Sequence, residues 1–95
     1  MPIMRTYIAG TMYKEGGKKI LPTLPAGQNL SLKAEPTNPH DRNAVAVYME
    51  DVQLGYVPKV DAPTIAKVLA SGQPVQIRLT TKGMASIEIV WGEEK

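Results

Sequence analysis

The chain has 95 residues with eleven basic and nine acidic side chains, a formal net charge of +2, and no cysteine. That is one small domain's length, and it excludes disulfides, thiol catalysis and Cys-ligated zinc. The mild charge excludes a histone-like polycation, so any nucleic-acid contact involves few phosphates and a shallow salt dependence.

The N-terminal residues Met1-Pro2-Ile3-Met4-Arg5 show no basic segment followed by an apolar stretch, and no apolar run approaches the roughly 20 residues of a membrane helix. The expectation is a cytoplasmic protein without a leader or membrane span. A single histidine and the lack of an acid cluster argue against a protein-built metal site, so no cofactor is expected.

The first predicted element is a strand over Thr6–Tyr13, with Gly10 marking a bulge or a close backbone approach. Lys14–Leu24 reads as a polar connection with a Gly16-Gly17 pair, and Pro25-Ala26-Gly27 as a turn. Leu30, Leu32 and Ala34 alternate with Ser31, Lys33 and Glu35, the period of a half-buried strand. Pro36–Asn43 is a loop. Ala44–Met49 and Val52–Val57 form a hairpin about Glu50-Asp51, with Val45 and Val47 on one face and Ala46 and Tyr48 on the other.

A single helix follows. Asp61 is placed to cap it, Pro63 sits in its first turn, Ile65, Val68 and Leu69 make an apolar stripe, and Gly72 ends it. Val75, Ile77 and Leu79 alternate in a fifth strand, Lys82-Gly83 turns the chain, and Ile87, Ile89 and Trp91 alternate in a sixth. Gly92–Lys95 is expected to fray. About six short strands and one α-helix in one domain over residues 1–95, with a core from about 5 to 92, predict a mainly β fold. Both OB-like and SH3-like small barrels fit.

Candidate chemistry concentrates in "EPTNPHDRNAVAV", residues 35–47. Adjacent His40 and Asp41 could be a general base with its orienting acid, or two metal ligands. The plainer reading is turn chemistry, since Asp and Asn side chains bond nearby backbone N–H groups. No serine or second histidine completes a catalytic motif, so a small hydrolase is the weakest alternative. Tyr13 and Tyr56 stand at predicted strand ends beside Lys14 and Lys59. That placement suits base stacking with phosphate partners, or core tyrosines with surface hydroxyls. Lys18-Lys19 is a solvated pair that adds general attraction for anions.

Four segments taken together, "IAGTMY" (8–13), "LPAGQNLSLKAEPTNPHDRNAVAVY" (24–48), "LGYVPK" (54–59) and "APTIAKVLASG" (62–72), resemble the HIRAN domain over nearly the whole chain. The resemblance implies an OB-like β-barrel that is non-catalytic and captures the free 3′-hydroxyl end of single-stranded DNA. In larger proteins it serves Swi2/Snf2-type translocases that process stalled replication forks. Solitary or differently fused versions occur in bacteria and phages, so a Swi2/Snf2-type ATPase, helicase or nuclease is the implied partner, in cis or in trans.

Carried over by position, Tyr13 matches the family's stacking aromatic and Asp41 the acid that contacts the terminal hydroxyl. His40 stands where DNA-binding members have a tyrosine, Tyr56 near a family histidine, and Lys59 near a phosphate-binding lysine. Arg42 or Lys14 would supply a further phosphate contact. Met12 stands in place of an arginine, and the family's late phenylalanine has no counterpart in a chain without Phe. These departures keep a second reading open: a protein-interaction or accessory domain with a degenerate DNA pocket.

Overall fold

Six strands form one antiparallel sheet in the computed structural model, which describes residues 2–92. In chain order these are β1 (Ile3–Tyr7), β2 (Asn29–Ala34), β3 (Val45–Met49), β4 (Val52–Tyr56), β5 (Val75–Leu79) and β6 (Ser86–Trp91). Two α-helices interrupt them, α1 (Glu15–Lys19) and α2 (Ala62–Ala70). The spatial order is β1-β6-β5-β2-β3-β4, which leaves β1 and β4 as the two edges.

Those edges meet. Past Tyr7 the chain continues to Ala9, whose N–H donates to the Tyr56 carbonyl at 2.7 Å while the Tyr56 N–H donates to the Ala9 carbonyl at 2.9 Å. This pair curls the sheet into an OB-like half-barrel. It also explains Gly55: a Cβ there would stand 2.7 Å from Ile8 Cγ2 and closer still to the Ala9 carbonyl oxygen. The backbones approach closely only because residue 55 has no side chain.

The predicted alternation sends the right residues inward. Val45, Val47, Leu54, Val57, Ile77, Leu79, Ile87 and Ile89 are buried and form one cluster with Ile8, Leu21, Leu24 and Ile65 of α2. Leu30, Leu32, Leu69 and Trp91 pack partly buried against it. Complete burial of a Val, Leu or Ile side chain stabilises by about 1.5–3 kcal/mol, so this shared cluster is the main source of the fold's stability.

Three local expectations are corrected. The first strand does not run from Thr6 to Tyr13; it ends at Tyr7, and Gly10, in the left-handed region at φ 71°, turns the chain into a 3-10 turn over Thr11–Tyr13. The Lys14–Leu24 connection is not a plain loop, because it contains α1 and a second 3-10 turn over Leu21–Thr23. Gly16 and Gly17 are weak helix formers, but both are buried against β4. A Cβ on Gly17 would meet the Leu54 carbonyl at 2.6 Å, and one on Gly16 would meet the Gln53 carbonyl. Tertiary contact dictates this short helix, which covers the β4 edge as edge strands require.

The third correction concerns Asp61. It occupies the N-cap position of α2 but makes no capping bond from its side chain; its Oδ2 instead accepts the Thr6 hydroxyl at 2.7 Å, joining α2 to β1. The helix end is as expected, with Gly72 at φ 78° just past Ser71. Of the predicted frayed tail, residues 93–95 lie outside the described residues. Among the described residues, no helix is long and apolar enough to cross a membrane.

Gly55→Ala is expected to destabilise the domain by about 1–3 kcal/mol, the range for a forced shift in a packed region, measured by urea unfolding. Unchanged stability would show that the β1–β4 closure tolerates separation.

Candidate nucleic-acid interface

The loop before β3 is held by a relay of hydrogen bonds that begins at Glu35. Glu35 Oε1 accepts the Tyr56 hydroxyl from β4 at 3.0 Å and the Asn38 side-chain amide, also at 3.0 Å. Asn38 Oδ1 in turn accepts the backbone N–H groups of His40 at 2.8 Å and Asp41 at 3.2 Å. Asp41 Oδ1 accepts the Asn43 N–H at 2.9 Å, and the Ala44 N–H donates to the Asp41 carbonyl at 3.1 Å as the chain enters β3. The bonds that Asn38 and Asp41 accept from backbone N–H groups are the local kind that Asn and Asp favour in turns. The turn chemistry expected of this stretch is therefore present.

The same loop forms one wall of a cleft of about 300 Å³ lined by Ala9, Gly10, Asn38, His40, Asp41, Ala44, Tyr56, Val57 and Lys59. The opposite wall is the closure of the half-barrel, Ala9 and Gly10 against Tyr56. Ala44 and Val57 are buried and supply apolar surface, while His40 and Lys59 are exposed and Asp41 is half-buried. The cleft thus combines an apolar base with one carboxylate, one ammonium and one imidazole, the mixed lining typical of a small-ligand site.

Four of the seven candidate residues, His40, Asp41, Tyr56 and Lys59, converge here. Lys14 stands at the border, its ammonium 5.5 Å from the Tyr56 ring centroid, a cation–π distance. Tyr13 lies on the 3-10 turn that follows Gly10; it is 88% exposed and is not part of the cleft lining. Met12 beside it is 71% exposed. Arg42 is also outside the cleft and lines a separate shallow depression with residues 36–41.

Tyr56 differs from a free stacking plate, because its hydroxyl is bonded to Glu35 and its ring faces Lys14. Asn38 shapes the loop backbone as turn chemistry predicts, whereas the Glu35 carboxylate is a positioning group that sequence reasoning left without a role. The three-residue spacing of Glu35 and Asn38 in a Pro-rich turn was the available signal, but Glu35's other partner, Tyr56, is 21 positions away from it. Among the described residues, no group of three His, Asp or Glu side chains is placed to hold a metal ion.

The family profile of the HIRAN domain matches residues 3–84. The chain belongs to the HIRAN domain family. No curated protein sequence matches it. Its fold is similar to the crystal structure of the HIRAN domain of human HLTF, with a TM-score of 0.79 at 21% identity over 97% of this chain and 77% of that one. A Lactobacillus plantarum protein is similar with a TM-score of 0.75 at 20% identity, covering 96% of this chain and all of that one, 100%. The HLTF HIRAN domain in its DNA-bound conformation gives 0.70 at 20% identity over 97% and 76% of the two chains. At these identities the likeness establishes the HIRAN fold.

Glu35→Ala leaves the Tyr56 hydroxyl and the Asn38 amide unpaired and is expected to cost about 1–3 kcal/mol, with faster hydrogen exchange at the His40 and Asp41 amides. Glu35→Gln keeps an acceptor oxygen and should retain most of the protection. Equal exchange in Glu35→Ala and wild type would remove Glu35 from the relay.

Proposed function

We propose that this HIRAN domain binds single-stranded DNA at its free 3′-hydroxyl end, as a non-catalytic module in DNA repair or replication-fork processing. The observation that carries the reading is Asp41: a carboxylate lining a cleft whose other charged member is Lys59. A site for internal phosphates would gain nothing from a carboxylate that no guanidinium covers. A terminal hydroxyl can donate a charge-assisted hydrogen bond to it, whereas a 3′-phosphate brings like charges together. Asp41 then confers specificity by what it rejects. Family membership and the DNA-bound conformation of the HLTF domain support the same reading.

In this reading the terminal sugar sits against Ala44 and Val57, with Asp41 at its hydroxyl. Lys59 takes a phosphate, and Lys14 adds positive charge at the border. His40 offers an imidazole face within the cleft, and Tyr13, outside it on an exposed turn, offers a second face to a base that projects outward. Arg42 reaches DNA only where the strand leaves the cleft across the loop. Motor or nuclease activity belongs to a partner of the Swi2/Snf2, helicase or nuclease type, in cis or in trans, which this module would deliver to a DNA end.

One observation favours a second reading, a protein-interaction domain with a degenerate pocket: Met12 and Tyr13 present adjacent apolar surface where the family pattern has an arginine before the aromatic. No oligonucleotide binding at about 50 mM salt, together with a captured protein partner whose binding Met12→Arg abolishes, would favour it.

Fluorescence anisotropy with matched oligonucleotides ending in 3′-hydroxyl or 3′-phosphate tests the end-binding reading. The hydroxyl end should bind more tightly, Asp41→Ala should erase that difference, and Tyr13→Ala should weaken both by about 1–3 kcal/mol. Equal affinity of the two ends for wild type would sink end recognition.

A further inference from the structure

We infer that the outward face of β1 and its neighbours carries the nucleotides on the 5′ side of the captured end; this rests on the end-binding reading above and extends it from a cleft to a track. The residues of β1 alternate, with Ile3, Arg5 and Tyr7 exposed. Ile8 then turns inward and is buried, and the next residue, Ala9, lines the cleft. The solvent face of one strand therefore runs into the cleft wall. Each pair of residues along it advances roughly 6.8 Å, so Tyr7 stands one such step from Ala9 and Arg5 two.

The neighbouring strands place anion-binding groups beside this path. Register pairs Arg5 with Glu88, Glu88 with Arg78, and Arg78 with Asn29, so these four form one row across β1, β6, β5 and β2. Glu88 is the buried charge of the row, 7% exposed. Its Oε2 accepts from Arg78 Nε at 2.9 Å and lies 2.7 Å from Arg78 Nη2, and its Oε1 lies 3.5 Å from Arg5 Nη2.

One carboxylate beneath two guanidinium groups leaves a net positive charge on the row and fixes where the guanidiniums stand. Both arginine side chains remain largely open to solvent, Arg5 at 78% and Arg78 at 58%. A guanidinium has five N–H donors, so each keeps donors free for an oxyanion. The arginine pair compensates the buried Glu88 charge, and the same contacts hold both guanidinium groups in place with donors left over for an oxyanion.

Tyr7 completes the pattern. It is 55% exposed and lies opposite Ser86, whose small side chain leaves the ring accessible. An accessible aromatic between the cleft and an arginine pair is the arrangement that binds single-stranded nucleic acid without reading its sequence: bases stack, and the backbone takes the cations. An acidic peptide would use the arginines alone and make no demand on Tyr7.

The test compares a dinucleotide with an octanucleotide, both ending in a 3′-hydroxyl, by fluorescence anisotropy on the full chain. The octanucleotide should bind about ten-fold more tightly, from stacking and phosphate contacts outside the cleft. Tyr7→Ala should lose about five-fold of that gain. Arg5→Ala should lose a similar share and flatten the log–log salt dependence by about 0.7. Tyr7 is exposed, and Glu88 keeps its closer partner Arg78 when Arg5 is removed, so thermal melting should stay close to wild type, and the dinucleotide should bind all three proteins alike.

A length gain that both variants retain, or the absence of any length gain in a wild type that still prefers the 3′-hydroxyl, overturns the track. Loss of the 3′-hydroxyl preference alone, with a length gain that still depends on Tyr7 and Arg5, overturns the end-binding reading and upholds the track.

Discussion

The exchange of two backbone hydrogen bonds between Ala9 and Tyr56 is the constraint on which the rest of this domain depends. It joins the two edge strands of an antiparallel sheet that would otherwise stay open. Its geometry requires a glycine at position 55, because any side chain there would stand in the Ala9 carbonyl and Ile8. It also requires the chain to leave the strand immediately afterwards, which Gly10 does through its left-handed conformation. One wall of the cleft is the direct product of that closure.

The other wall is attached to the same point. Tyr56 receives the Ala9 bridge through its backbone and holds Glu35 through its hydroxyl, and Glu35 holds Asn38, whose amide oxygen sets the backbone of His40 and Asp41. The loop is thus referred to the barrel closure rather than to its own strand ends alone. A binding loop normally costs conformational entropy to order on contact with a ligand. Here much of that ordering is present beforehand, which is what discrimination of a single hydroxyl would need.

Legibility differed by scale. Residues 30–34 and 75–79 alternate in burial, and Val45, Val47, Ile87 and Ile89 send one side of β3 and β6 into the core, which is why these strands were legible in the sequence. The stretch from Gly10 to Leu24 was misread because its structure has a non-local cause: a Gly-Gly pair signals flexibility in isolation, but here it allows α1 to lie on β4. Asp61 was placed correctly at the N-cap, but its side chain bonds Thr6, 55 residues away, in place of the helix N–H groups. Within the loop, the turn chemistry does not take Asp41 out of reach of a ligand. Asp41 bonds Asn43 and also lines the cleft.

By itself the sequence determined five of the six strands, the α2 helix, the alternating apolar positions that face the core and the HIRAN family, because period, turn residues and motif spacing are local properties that each segment carries with it. Only the tertiary structure decided which candidate side chains share a space. It brought His40, Asp41, Tyr56 and Lys59 into one cleft, left Tyr13 and Arg42 outside it, and set Arg5, Glu88 and Arg78 in a row across three strands. The physical reason is that strand order and edge closure bring together residues far apart in the chain, and those pairings follow from how the whole sheet buries its inner face.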